Sequence, residues 1–114
     1  MTEDCLFCKI AAKELDSTIV YETDDVIAFT DINPAAPVHL LVIPRRHISS
    51  AHELGAGDGA LLGKMFEAIA VLARDNGIEG GHRIVTNVGA PAGQSVHHVH
   101  FHLLGGRGLS WPPG

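Results

Sequence analysis

The sequence predicts an α+β protein in which an antiparallel sheet of about five strands packs with one long and one short helix. Short β-rich runs recur along the chain between polar turns and prolines, which is typical of an antiparallel sheet. Residues 58–76 instead have apolar side chains at three- and four-residue intervals, the pattern of one long amphipathic helix. Because no repeat and no long linker interrupts this order, we expect a single domain over residues 1–114.

Each predicted element follows from a local pattern. Helical spacing of apolar residues predicts a short helix over residues 5–15, and the polar pair Asp24-Asp25 separates two β-rich runs into a hairpin. We expect Asp58 to cap the start of the long helix and Gly77 its end. The predicted strands cover residues 18–22, 26–31, 39–43, 83–87 and 96–104.

Composition restricts the class of protein. An apolar content of 46% with 18% charged residues is typical of a folded globule. The net charge of -5 argues against a nucleic-acid partner, since such affinity depends largely on Lys and Arg neutralising phosphates. No apolar run approaches the roughly 18 residues that span a bilayer, and residues 1–4 lack the layout of a signal peptide. We therefore expect no membrane association and a cytoplasmic location.

Five of the eight histidines lie in the last third of the chain. On a strand, alternate residues share a face, so His98, His100 and His102 form one row, and the residues between them face a core. The first and third rings would be about 13 Å apart, too far for all three to bind one zinc. Satisfied polar side chains or a purely zinc-binding row remain alternatives. A nucleophilic imidazole fits the chemistry better, because its charge state is easily tuned near neutral pH.

Cys5 and Cys8 have the Cys-x-x-Cys spacing. In a cytosolic protein this spacing indicates metal ligation, redox exchange or no special role. With a single pair, the spacing alone does not distinguish these alternatives.

The sequence around the histidine row resembles a known signature. Residues 98–104, with glycine-containing segments at 93–96 and 105–107, are similar to the histidine triad superfamily, in which three histidines alternate with apolar residues. The ending Trp-Pro-Pro-Gly at 111–114 resembles the histidine triad nucleotide-binding (Hint) branch. The similarity runs from Phe7 to the C-terminus and covers nearly the whole chain.

The resemblance implies a purine nucleoside phosphoramidase, which hydrolyses the phosphorus–nitrogen bond of nucleoside 5′-monophosphate derivatives. His100 would be the nucleophile that forms a nucleotidyl-histidine intermediate, and His102 would contact the phosphate. Ser95, with the amides around Gly93 and Gln94, would hold the phosphate as well. The alternatives are dinucleoside polyphosphate hydrolysis, nucleotide-dependent regulation with incidental catalysis, and a metal-dependent hydrolase.

The resemblance also assigns the rest of the nucleotide site. Asp31 would bind the ribose hydroxyls, although an Asp before Asn33-Pro34 is equally typical of a turn. Asn87 would lie beside the phosphate, or it is an ordinary strand end. Four apolar residues would form the slot for the base, whereas pattern alone favours a place in the core: Phe7, Ile10, Phe29 and Ile32.

A structural zinc ion is a further implication of the resemblance. Its ligands would be Cys5, Cys8, His47 and His98, a Cys₂His₂ set typical of a closed tetrahedral site. Zinc would connect the N-terminal helix to the sheet and leave His100 free. No organic cofactor is expected.

The resemblance implies a homodimer that forms through the long helix and the strand near residues 83–87. The expected ligands are purine nucleoside monophosphate derivatives. His97 is assigned no role, and its side chain should point away from the row. The histidines outside the motif are expected to be surface or structural residues: His39, His52 and His82.

Overall fold

The computed structural model describes residues 4–114 and confirms the predicted α+β fold. All pairings in its five-stranded sheet are antiparallel. The helices are α1 (Leu6–Ala11) and α2 (Gly59–Asp75), and the strands are β1 (Ile19–Glu22), β2 (Val26–Thr30), β3 (Val38–Pro44), β4 (His82–Val85) and β5 (Phe101–Gly105). The strand order is β1-β2-β3-β5-β4, so β3 and β5 lie next to each other in the sheet.

The two faces of the sheet are covered by different helices. The larger core packs α2 against one face, where Leu40 of β3 is paired with Leu103 of β5. On the opposite face, Phe7 and Ile10 of α1 form a smaller cluster with Phe29 and other alternate residues of β2 and β3. Because α1 is short, it covers only part of this second face.

The ends of the helices differ in part from the prediction. Gly77 ends α2 as predicted, in the left-handed conformation at φ 71°. Asp58 does not cap α2 with its side chain, because its carboxylate accepts hydrogen bonds from Gly55 N–H at 2.9 Å and from Arg46 at 2.6 Å. The first helix ends at Ala11 instead of residue 15, and Lys13 then turns the chain at φ 64°.

The last strand is shorter than the predicted 96–104, since β5 begins at Phe101. The preceding residues follow the loop after β4, which contains a 3₁₀ turn and two glycines with positive φ, Gly89 and Gly93. The alternation of side chains nevertheless continues backwards, because Val99 lies in the α2 core with Phe101. Among residues 4–114, no helix is both long enough and apolar enough to cross a membrane.

Candidate functional site

A cleft of about 350 Å³ opens on the α1 side of the sheet. Its apolar wall includes Phe7, Ile10 and Phe29, all three buried, whereas Ile32 is 87% exposed at the edge of the cleft. Polar groups predicted from the sequence line it as well: Asp31, Ser95, His100 and His102. Further lining residues were not singled out by the sequence: Leu6, Leu15, Asp16, Ser17, Thr30, Asn33, Leu41 and Val96.

The imidazole of His100 is buried and has one of its nitrogens fixed. Its Nδ1 lies 2.8 Å from the backbone carbonyl oxygen of His98, which can only accept a hydrogen bond. Nδ1 therefore carries the hydrogen, and the lone pair of Nε2 is left free. Burial lowers the pKa of His100, although the bond to His98 and the charge of Asp31 act in the opposite direction. His100 thus presents a neutral imidazole to the cleft.

His102 belongs to a chain of hydrogen bonds that also sets its tautomer. The Ala35 N–H donates to Nδ1 of His39 at 2.9 Å, so His39 carries its hydrogen on Nε2. That Nε2–H lies 2.9 Å from Nδ1 of His102 and donates to it. The hydrogen of His102 is consequently on Nε2. Burial and the neighbouring His100 and His39 lower the pKa of His102 to about 4.

His39 is the residue that the sequence did not connect with the site. It is buried, and it lies beside His102 because the register pairs His39 with Leu104, which places the two histidines diagonally across β3 and β5. To predict this contact, one must know the register in which β3 and β5 pair. The spacing of residues within either segment does not determine that register. His52 and His82 are exposed, as is His97.

Asp31 forms the turn that the sequence predicts and also lines the cleft. Its Oδ1 accepts the N–H of Asn33 at 2.8 Å, which is the turn-forming contact, and its Oδ2 lies 3.3 Å from Nε2 of His39. The carboxylate also lines the cleft. One side chain therefore both stabilises the turn and faces the cleft.

Three residues of the predicted phosphate site do not line the cleft. Gln94 is buried beneath the loop, where its Oε1 accepts the Gly89 N–H at 2.9 Å and its amide donates to the Ser49 carbonyl at 2.7 Å. Gly93 adopts φ 98°, and a β-carbon there would lie 3.9 Å from the side chain of Asn87. Gln94 and Gly93 shape the loop that brings Ser95 to the cleft, and Asn87 lies next to Gly93.

Beside the cleft, Cys5, Cys8, His47 and His98 place four ligand atoms within 4.8 Å of one another. Nδ1 of His98 lies 3.3 Å from the Cys5 sulfur and 3.4 Å from the Cys8 sulfur, and Nδ1 of His47 lies 3.3 Å from the Cys8 sulfur. Nε2 of the fully buried His98 donates to the Pro44 carbonyl at 2.8 Å. Its Nδ1 is therefore free of hydrogen and can bind a metal.

The donor set fits zinc. Two thiols and two imidazoles are the ligands of many structural zinc sites, and the carbonyl behind His98 is the kind of contact that orients a ligating imidazole. Burial and the neighbouring Cys5 raise the pKa of the Cys8 thiol to about 11. A bound cation would reverse this effect, since a coordinating thiol loses its proton. The site lies at the start of α1, as the sequence resemblance implied.

Comparison with known proteins identifies the family. Residues 12–109 match the HIT domain. The chain belongs to the HIT family. This HIT protein is 45% identical over 114 residues to a 14 kDa zinc-binding protein of Zea mays, with 96% of this chain and 87% of the maize protein covered. The histidine triad resemblance is thereby confirmed.

Solved HIT structures share the whole fold. A HIT family hydrolase from Legionella pneumophila Philadelphia 1 is 46% identical and has a TM-score of 0.95, with 97% of this chain and 100% of that chain covered. A HIT family hydrolase from Clostridium thermocellum is 48% identical and has a TM-score of 0.92, with 96% of each chain covered.

Proposed function

We propose that this HIT protein is a nucleotide hydrolase of the phosphoramidase type, acting on purine nucleoside 5′-monophosphate derivatives. The observation that carries the proposal is the neutral His100, whose Nδ1–H is held by the His98 carbonyl while the lone pair of Nε2 is free. A buried, oriented imidazole of this kind is a competent nucleophile at neutral pH. The two HIT family hydrolases of nearly identical fold support a hydrolytic reaction.

The reaction proceeds in two displacements at phosphorus. The Nε2 lone pair of His100 forms a bond to phosphorus as the phosphorus–nitrogen bond of the substrate breaks, and the departing amine takes up a proton. Water then attacks the same phosphorus, and the bond to His100 breaks. The proton lost by water balances the proton gained by the amine, and nucleoside monophosphate is released.

The rest of the cleft would bind the substrate. Nε2–H of His102 and the hydroxyl of Ser95 donate to phosphate oxygens, as neutral donors that require no net charge. Asp31 accepts from the ribose hydroxyls, and Phe7 and Phe29 pack on the base with Ile10 and Ile32. Gln94 acts from behind the cleft by holding the loop that carries Ser95, and Gly93 supplies the positive φ that this loop needs, with Asn87 beside it.

Turnover of an adenosine 5′-phosphoramidate and of a dinucleoside polyphosphate by the purified protein tests this proposal. We expect His100→Asn to abolish phosphoramidate turnover, and mass spectrometry of the quenched wild type to find a nucleotidyl adduct on His100. His52→Asn, which changes an exposed histidine outside the cleft, is the matched control. Equal rates for His100→Asn and wild type would overturn the nucleophile assignment. Faster turnover of the dinucleoside polyphosphate would reassign the substrate.

We also propose that the Cys₂His₂ site binds structural zinc. The maize relative is named a zinc-binding protein, and the four ligand atoms of this chain lie within 4.8 Å of one another. Elemental analysis should find one zinc per chain, and Cys5→Ser with Cys8→Ser should lose it. A wild-type preparation that neither contains zinc nor binds added zinc would contradict the proposal.

We further propose that two copies of the chain form a homodimer through β4 and α2. β4 is the last strand in the sheet order, and its Ile84 is paired with Leu103, which faces α2. Ile84 and Phe66 of α2 are exposed on this same side, which gives an apolar surface next to an open strand edge. Light scattering should report a dimer that Ile84→Asp converts to a monomer. Val20→Asp, at the opposite edge of the sheet, should remain a dimer.

A further inference from the structure

The segment between α1 and β1 brings polar side chains to the base slot. Leu15, Asp16 and Ser17 all line the cleft, although none belongs to the histidine motif. We infer that Asp16 contacts the Watson–Crick edge of the base and makes guanine the preferred base. This inference rests on the proposed function, because it concerns the substrate bound in the same cleft.

The segment is anchored at both of its ends. After α1, Lys13 turns the chain at φ 64°, and its amine lies 2.8 Å from the carboxylate of Glu22. On the other side, the Thr30 N–H donates to the Thr18 carbonyl at 3.1 Å, which fixes the start of β1 beside β2. Asp16 therefore lies on a short connection whose place beside the slot is set by contacts at either end.

The carboxylate of Asp16 is available to a ligand. The nearby cations Lys13 and Arg45 both pair with Glu22, each at 2.8 Å. Within residues 4–114, Asp16 takes part in no ion pair. The exposed wall of the cleft that Asp16 lines is mainly apolar, and Ile10 and Phe29 belong to it. Asp16 is thus a carboxylate outside any of the described ion pairs, on the wall of a mainly apolar cleft.

The donors and acceptors of the two purines respond differently to a carboxylate. An ionised carboxylate has two acceptor oxygens and no donor. Guanine presents N1–H and the 2-amino group side by side, so it can donate to both oxygens. Adenine presents one amino donor next to the N1 lone pair, so the second oxygen of Asp16 would face another acceptor. The Ser17 hydroxyl both donates and accepts, and it does not separate the two bases.

The test compares kcat/KM for the guanosine, inosine and adenosine 5′-phosphoramidates. Because Asp16 is exposed, we expect the wild type to favour guanosine over adenosine by roughly tenfold, mainly through KM. Inosine, which keeps N1–H and lacks the 2-amino group, should fall between them. Asp16→Ala should bring the guanosine-to-adenosine ratio close to one, and Asp16→Asn should lower it. Asp24→Asn, an exposed acidic residue outside the cleft, should keep the wild-type ratio.

The outcomes separate this inference from the proposed function. Suppose that the wild type turns over all three substrates. A guanosine-to-adenosine ratio of kcat/KM near one, or a ratio that Asp16→Ala leaves unchanged, then overturns the role of Asp16 but not the phosphoramidase proposal. Absence of turnover with every substrate overturns the proposed function. In that case, calorimetric binding of GMP and AMP decides the matter: tighter GMP binding that Asp16→Ala abolishes supports the inference, and equal affinities contradict it.

Discussion

The Nδ1–H of His100 donates to the backbone carbonyl oxygen of His98 at 2.8 Å, while the side chain of His98 faces the sulfurs of Cys5 and Cys8. One residue therefore supports the proposed nucleophile with its main chain and the candidate metal site with its imidazole. Phe7, which lies between the two cysteines in sequence, also packs edge-to-face on His100 at a centroid distance of 5.1 Å. Changes at the metal site should consequently alter the position of His100 and Phe7 in the cleft.

Removing zinc is expected to weaken both the fold and nucleotide binding. The Cys5 sulfur caps α1 by accepting the Cys8 N–H at 3.3 Å, and α1 supplies Phe7 and Ile10 to the apolar wall of the cleft, where the base is proposed to bind. The double substitution Cys5→Ser and Cys8→Ser should lower the free energy of unfolding by on the order of 3 kcal/mol and raise KM. Urea unfolding and steady-state kinetics measure the two effects. An unchanged KM in a variant shown to lack zinc would mean that the metal site does not affect nucleotide binding in the cleft.

His39 is expected to act as a positioning residue for His102. In His39→Leu, Nδ1 of His102 loses its donor, so the tautomer that directs Nε2–H into the cleft is no longer fixed. We expect kcat to fall by roughly 100-fold, with little change in KM. His39→Gln retains an N–H donor and should recover part of kcat. A kcat for His39→Leu equal to that of the wild type would show that the hydrogen-bond chain has no catalytic effect.

The free energy of unfolding is expected to decrease as the pH falls below about 6.5. The folded-state pKa of His102 is lowered to about 4, and burial also lowers those of His98 and His100. Below their unfolded-state pKa, these histidines bind protons more readily in the unfolded chain, so acid favours unfolding. Urea titrations of zinc-free protein between pH 7.5 and 4.5 measure the slope. His102→Asn should make it shallower, by less than about 1.4 kcal/mol per pH unit, since His102 is only partly buried.

The loop beneath the proposed phosphate site should depend on Gln94. Its side chain is buried and bonds to Gly89, Ser49 and Val96. Gln94→Leu keeps the approximate volume but leaves these backbone groups without partners, which should cost about 2–4 kcal/mol of unfolding free energy. Because Ser95 follows directly, KM should rise. Thermal unfolding and kinetics check both effects, and a fully stable variant would contradict this account of the loop.

The features predicted most accurately depend on short-range periodicity. Alternation placed Val99, Phe101 and Leu103 in the core and the histidines opposite, even though β5 begins only at Phe101. The α2 helix and its terminal Gly77 likewise follow from local spacing and turn chemistry. These patterns determine which side of an element is buried, and the structure follows them.

The features that were missed depend on contacts between distant segments. His39 meets His102 because β3 and β5 pair in one particular register, and the sequence pattern of either strand alone is compatible with others. Asp58 is an effective cap in isolation, but Arg46 and Gly55 occupy its carboxylate. Such competition between partners is decided by the three-dimensional arrangement and cannot be derived from local propensity.

The donors gathered around the proposed phosphate position are neutral, and none of the described residues that line the cleft is Lys or Arg. The chain as a whole carries a net charge of -5. Electrostatic steering therefore cannot accelerate the encounter with an anionic nucleotide, and added salt should screen a net repulsion. Nucleotide association should become slightly faster as ionic strength rises, in contrast to proteins that capture phosphate with a cationic surface. Recognition by this HIT protein would then begin at short range, with the shape of the base and a few hydrogen bonds.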